Sequence, residues 1–236
     1  MGTKDTTPGM CRGSVDINEL EGDLADYLAK RDESNRAFLV DTCVLLEAAS
    51  PYGGSRKALA RRILALLRTA IAKGVDCFIT ANILEECFFK IIRWCYSDCA
   101  RRGPAVADTR RHSESKVDYE KLVSQAARDV PWNKLYKDFP GVISERCCDR
   151  LLRFYDVVRY NYGLFPLDPS LPLPEEETMT PITDRMNKFI CEYDLLPQDS
   201  LNLAIADAYE VRNIVTFDSD LSRAANRFRI YRPGPL

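Results

Sequence analysis

A chain of 236 residues that is 46% hydrophobic and 29% charged is long enough to bury one substantial core, with residues left over for an insertion or an arm. Its apolar runs are interrupted by charge, as at Arg68 within Ile63 to Ile71, so none approaches the roughly 20 residues of a membrane span; a soluble, cytoplasmic protein with no membrane partner is expected. A single histidine, His112, argues against chemistry built on a histidine base, whether a Ser-His-Asp hydrolase or a two-histidine ribonuclease.

Residues 1 to 15 are polar and expected to be mobile, and Asp16 to Lys30 then carries Ile17, Leu20, Leu24, Tyr27 and Leu28 at helical spacing. The spacing predicts a short arm with an amphipathic helix, residues 1–35. The core pattern starts with the apolar run Ala37-Phe38-Leu39-Val40, a strand that ends in Asp41. After a Pro-Gly-Gly loop, a helix is predicted with Leu59, Ile63, Leu66, Leu67, Ala70 and Ile71 on one face and Arg61, Arg62 and Arg68 off it. A second strand, Val75 to Ile79, leads through Thr80 into a helix from Asn82 to about Tyr96. Strand, helix, strand, helix predicts a parallel sheet.

Asp98 to Lys116 is polar and arginine-rich, and Asp149 to Tyr162 returns to helical spacing through Leu151, Leu152, Tyr155 and Val158. Five prolines between Pro166 and Pro181 then read as an irregular connector. The α/β pattern resumes with helices at Asp184 to Tyr193 and Asp199 to about Val211, a strand at Asn213 to Phe217, and a last short strand near Phe228 to Tyr231. The near-neutral total conceals a division of charge: residues 87–165 hold 15 Lys and Arg against 10 Asp and Glu, whereas residues 166–236 hold 7 against 12. A basic segment beside acidic ones suits an enzyme that acts on a polyanion, although the same arginines also fit a solvated helical face.

Nine cysteines without a secretory-type start read as reduced thiols, with Cys43, Cys77, Cys87 and Cys191 in apolar stretches and expected in the core. Cys87, Cys95, Cys99, Cys147 and Cys148 contain no Cys-x-x-Cys pair, which argues against a zinc finger.

The acids carry the chemical signal. Asp41 follows four apolar residues at a strand's carboxyl end, where open α/β sheets place ligands, and a carboxylate there is costly to bury unless paired or bound to a metal. Asp218 follows a second such strand, with Asp220 two residues on. Asp199 precedes an amphipathic helix, and Glu85 and Glu86 lie on the helix after the second strand. Each alone has an ordinary reading as a turn former, a helix cap or a wet face.

Four segments together resemble the PIN-domain nucleases, a family that includes toxin nucleases of bacterial toxin–antitoxin pairs. They are Phe38-Leu39-Val40-Asp41-Thr42-Cys43, Ile79-Thr80-Ala81-Asn82-Ile83-Leu84-Glu85-Glu86, Asp199-Ser200-Leu201-Asn202-Leu203-Ala204-Ile205-Ala206, and Ile214-Val215-Thr216-Phe217-Asp218-Ser219-Asp220. The family pattern runs strand-Asp-Thr/Ser, helix-Glu, Asp-Ala-x-x-x-Ala-x-Ala and Val-Thr-x-Asp-x-Asp in that order. The resemblance implies a PIN-like three-layer α/β fold over residues 36–236, with a central, mainly parallel sheet and a largely helical insertion at about 97–182. It implies Asp41, Glu86, Asp199 and Asp218 as catalytic and metal-binding acids, Asp220 as a further ligand, and Thr42 and Thr216 in support; Glu86 is preferred over Glu85 by its place in the motif. Cys43 stands where Asn is frequent, Ser200 where Ala is, and the stretch from Glu86 to Asp199 exceeds that of minimal toxin nucleases.

The activity so implied is hydrolysis of phosphodiester bonds, foremost in single-stranded RNA, leaving 5′-phosphate and 3′-hydroxyl ends. All-oxygen ligation suits Mg²⁺ or Mn²⁺. Arg101, Arg102, Arg110 and Arg111 are the expected contacts to nucleic-acid phosphates, and an inhibitory protein partner or a homo-oligomer is the expected protein association. A haloacid-dehalogenase-type phosphatase needs a second Asp where Cys43 stands. The non-enzymatic alternative is a PIN-like scaffold that binds RNA or a protein partner without cutting.

Overall fold

The computed structural model describes residues 14–30, 36–49, 56–102, 137, 142–167 and 181–233. The chain divides into two compact units, residues 1–85 with 157–236, and residues 86–156.

The first unit is built on a six-stranded, all-parallel sheet in the order β1-β6-β5-β2-β3-β4, with β1 Ser14–Asp16, β2 Ala37–Val40, β3 Asp76–Thr80, β4 Phe165–Leu167, β5 Asn213–Val215 and β6 Arg229–Arg232. The helices are α1 Leu20–Lys30, α2 Thr42–Ala49, α3 Lys57–Ile71, α4 Ala81–Arg102, α5 Cys148–Asp156, α6 Ile182–Tyr193 and α7 Pro197–Ala208. In β2 the consecutive residues Phe38, Leu39 and Val40 are all buried, and in β5 every residue is. Continuous burial marks strands covered on both faces, as parallel sheets require.

From β2 the chain crosses to β3 on one side, while β5, reached much later, pairs with β2 on the other. Parallel crossovers are right-handed almost without exception, so the connections on the two sides of β2 fall on opposite faces of the sheet. The order therefore reverses between β2 and β5, consistent with a three-layer α/β arrangement. α3 turns into β3 at Gly74, whose φ of 93° is available to glycine at little cost. The amides of Gly74 and Val75 there close onto the carbonyls of Ile71 and Ala70, the kind of left-handed helix end that glycine favours.

The structure departs from sequence expectation at several points. The arm contributes a strand, β1, to the edge of the sheet, and its helix packs on β2 and β6 through Tyr27, which lies 6.0 Å from the Phe38 ring, and Asp23, which accepts from Tyr231 Oη at 2.9 Å and Arg229 at 2.5 Å. Residues 1–13 lie outside the described region. The sequence pattern predicts a loop after Asp41 where the structure has α2, whose eight residues hold too few turns to show a period. β4 carries Pro166 within a stretch read as connector; a proline lacks the amide that a ladder needs, and β4 sits where that is tolerated, at the sheet's edge. Cys191 is exposed rather than in the core, and Cys43 is half-buried, while Cys77 and Cys87 are buried as expected.

Phe38 has no exposed surface and packs between Tyr27 and Tyr231, 5.8 Å from the latter's ring. Phe38→Ala is expected to lower the unfolding free energy by about 3–5 kcal/mol, measured by urea denaturation, because a cavity opens where the arm meets the sheet.

In the second unit, Cys95, Tyr96, Val142 and Cys147 form a buried cluster against which Ile92, Ile143 and Leu151 pack. Phe88 meets Phe154 edge-on at 6.2 Å, and Arg150 pairs with Asp98 at 3.3 Å. Its described segments are helical, with wide π-type turns at Ile143–Cys147. The boundary between units falls inside α4, between Glu85 and Glu86, and the sheet resumes at β4, earlier than the predicted end of the insertion.

Candidate functional site at the carboxyl edge of the sheet

β2 and β5 pair with Val40 opposite Val215, and the Asp41 amide continues the ladder by donating to the Val215 carbonyl at 3.0 Å. Asp41 is thus the first residue past β2, level with Thr216, the first past β5. Since the strand order reverses between these two, they flank the crevice in which open parallel sheets bind ligands.

Asp41 caps α2, its carbonyl accepting from the Val44 amide at 3.1 Å. Its carboxylate is held by three donors: the Thr42 amide at 2.7 Å on Oδ1, and on Oδ2 the Thr216 hydroxyl at 2.7 Å and the Cys43 thiol at 2.8 Å. Such charge-assisted bonds offset the cost of taking a carboxylate partly out of water. Thr216 Oγ1 also accepts from the Asp218 amide at 2.9 Å, so one hydroxyl ties the first acid to the backbone of the second.

Cys43 has a definite role in this network. Burial, then the neighbouring Asp41 charge, push its thiol well above the usual range, so it remains protonated and donates. Its sulfur also accepts from the Phe217 amide at 3.0 Å. A side chain with both a donor and an acceptor is needed here, which an asparagine would also provide.

Asp218 is half-buried, and its Oδ1 accepts from the Asp220 amide at 2.8 Å, an Asx turn that opens the short helical turn Asp220–Ala224. Asp220 is exposed and pairs with Arg223 at 3.3 Å. Asp199 is half-buried in the first turn of α7, behind Pro197, rather than at its cap, which is Leu196. A carboxylate there lies at the positive end of the helix dipole.

A buried polar network fixes that first turn to the same edge of the sheet. Thr80, the last residue of β3, donates to Asn202 Oδ1 at 2.6 Å and accepts from the Ile83 amide at 3.0 Å, while Asn82 Nδ2 donates to Asn202 at 3.0 Å and to the Gln198 carbonyl at 3.4 Å. Sequence reasoning gave Thr80, Asn82 and Asn202 no role, yet an Asn on the otherwise apolar face Leu203 to Ala206 was a visible signal, because a buried amide requires partners.

The structure therefore brings Asp41, Thr42, Thr216 and Asp218 together and sets Asp199 on a helix anchored at the same edge. Glu85 is exposed and Glu86 half-buried; Glu86 falls in the second unit. Arg101 and Arg102 end α4, and Arg110 and Arg111 lie outside the described residues. Among the described residues no three Asp, Glu, His or Cys side chains stand close enough together to hold one metal ion. The oxygen donors match Mg²⁺ or Mn²⁺ in kind, but the described arrangement does not supply a ready ligand set. Beside Asp218 lies a cleft of about 370 Å³ lined by Cys43, Glu47, Arg56, Phe217, Asp218 and Ser219.

No family model, curated protein or solved structure matches the chain. Fold and site define it as a parallel α/β protein with carboxylates at the switch point of its sheet.

Proposed function

We propose that the protein hydrolyses phosphodiester bonds in nucleic acid, as an endoribonuclease of the PIN-domain kind acting on single-stranded RNA. The observation that supports this most is the placement of Asp41 and Asp218 just beyond adjacent parallel strands, at the reversal of strand order, linked through Thr216. An acid held by three donors keeps its direction, which suits a group that works by electrostatics rather than as a nucleophile. Mg²⁺ or Mn²⁺ belongs to the proposal; when bound, such an ion activates water and neutralises charge on the leaving oxygen. The second reading, a scaffold that binds RNA without cutting, is favoured by the lack of a three-acid group among the described residues.

Incubation of the purified protein with single-stranded RNA separates the two. The enzyme reading expects fragments with 5′-phosphate ends that form with Mg²⁺ or Mn²⁺ and vanish on chelation. RNA that is bound and stays intact under every divalent condition would establish the scaffold instead.

The basic segment belongs to the same proposal. Replacing Arg101, Arg102, Arg110 and Arg111 with Ala is expected to weaken RNA binding and to flatten the slope of log affinity against log salt by about 0.7 for each phosphate contact released. Binding isotherms at several salt concentrations check this, and an unchanged slope removes these four residues from the RNA path.

A further inference from the structure

The cleft beside Asp218 has an uneven chemistry. α2 presents Cys43 and Glu47 to it at i and i+4, one above the other on the same helix face. Glu47 Oε2 is buried and has no hydrogen-bond partner among the described residues, a state that costs stability unless a donor arrives. Opposite in charge is Arg56, which lies over the Phe217 ring at 5.7 Å and donates from one nitrogen to the Phe217 carbonyl at 3.3 Å. No salt bridge among the described residues uses Arg56, and its guanidinium has further N–H groups to offer. Phe217 is 8% exposed, so its ring supports Arg56 and leaves no open face for a base to stack on.

We propose that this cleft seats one nucleotide of the single-stranded RNA, with Arg56 holding a backbone phosphate and the Glu47 carboxylate accepting a hydrogen bond from the sugar or base of that nucleotide. The inference rests on the nuclease reading and names the substrate contacts of the same site. Asp41, Asp218 and Glu47 together repel a phosphate, so a polyanion can approach this edge only where a cation meets it. Among the described residues that line the cleft, Arg56 is that cation, and a guanidinium braced on an aromatic ring is pre-organised for the planar, two-pronged contact that phosphates accept. A phosphodiester has no donor to give Glu47, whereas ribose hydroxyls and base N–H groups do. At about 370 Å³ the cleft falls at the small end of the range for ligand sites, which suits one unit of a strand and not a duplex.

The test is fluorescence anisotropy with a labelled single-stranded oligoribonucleotide in EDTA, where binding is read without cutting. Arg56→Gln is expected to weaken binding about tenfold, the scale of a lost charge-assisted bond, and to flatten the salt slope by about 0.7. Arg56→Lys should keep the slope and lose part of the affinity, and Glu47→Ala should weaken binding with the salt slope unchanged. Thermal unfolding of each variant identifies any that fail to fold, and the lysine variant then decides in place of the glutamine one. Unchanged binding by Arg56→Gln overturns the assignment, as does wild-type protein that binds no RNA; tighter binding by Glu47→Ala shows Glu47 to be a repelling charge only. Wild-type protein that binds through Arg56 and never cuts would sink the nuclease reading while sparing the cleft. Normal cutting by Arg56→Gln, with unaltered binding, would do the reverse.

Discussion

Asp41→Asn is expected to abolish RNA cleavage, with a loss larger than the roughly 10- to 100-fold typical of groups that act only through a ligand, while the fold survives. The substitution preserves size: the remaining carbonyl oxygen can still accept from the Thr42 amide, 2.7 Å away, and the new NH2 group can donate to the Thr216 hydroxyl, which accepts as well as donates. What disappears is the negative charge at the point where β2 and β5 diverge. Asp218→Asn should behave alike, because its turn needs only an acceptor for the Asp220 amide, 2.8 Å away. Single-turnover cleavage with circular dichroism on the same samples makes the measurement. Near-normal rates in either variant would remove that residue from the catalytic set. Glu86→Gln and Asp199→Asn, assayed together with them, test the other two acids that the family resemblance assigns.

A loss of comparable size, in stability rather than activity, is expected at Asp207. This acid sits in α7 with its side chain 2% exposed and receives bonds from Arg185 at 2.5 Å, from Arg227 at 2.6 Å and from Arg212. Those arginines come from α6, from the segment entering β5 and from the turn before β6, so Asp207 fastens the carboxyl half of the unit. Asp207→Ala removes the carboxylate on which three guanidinium groups converge, and breaking a buried pair in this way costs about 3–5 kcal/mol. Burial alone would raise the Asp207 pKa, but the hydrogen bonds and charges of Arg212 and Arg227 outweigh it and hold the acid below its ordinary value. A folded-state pKa below the unfolded value of about 3.9 stabilises the fold above that pH, and the contribution is lost as pH falls through the folded pKa. Urea unfolding should therefore show a wide gap between wild type and Asp207→Ala at neutral pH that narrows in strong acid. A gap independent of pH would mean that packing, and not charge, accounts for the loss.

Much of the sheet was legible in the sequence because parallel strands buried on both faces announce themselves as short, continuous apolar runs, as Phe38 to Val40 and Ile214 to Val215 do. The acids that end them were legible for the same reason, since a carboxylate directly after such a run is costly and calls for a partner. The features that escaped depend on partners remote in sequence. β1 is three residues long and becomes a strand only because β6 offers an edge. β4 has a proline that is acceptable solely in its edge position. Asp207 was passed over because nothing nearby in the chain announces that Arg185, Arg212 and Arg227 converge on it. The same applies to Glu47, which belongs to no predicted element or motif and gains a place only where α2 presents it, with Cys43, to the cleft.

The central claim is that the carboxylates at this edge work with a divalent ion. Crystals of the protein grown with Mn²⁺ and measured for its anomalous signal test that claim most directly. A Mn²⁺ peak is expected within ligating reach of the Asp41 and Asp218 carboxylates, absent from crystals of Asp41→Asn. A well-ordered edge that holds no ion at saturating Mn²⁺, or an ion bound solely by residues away from Asp41 and Asp218, would contradict it.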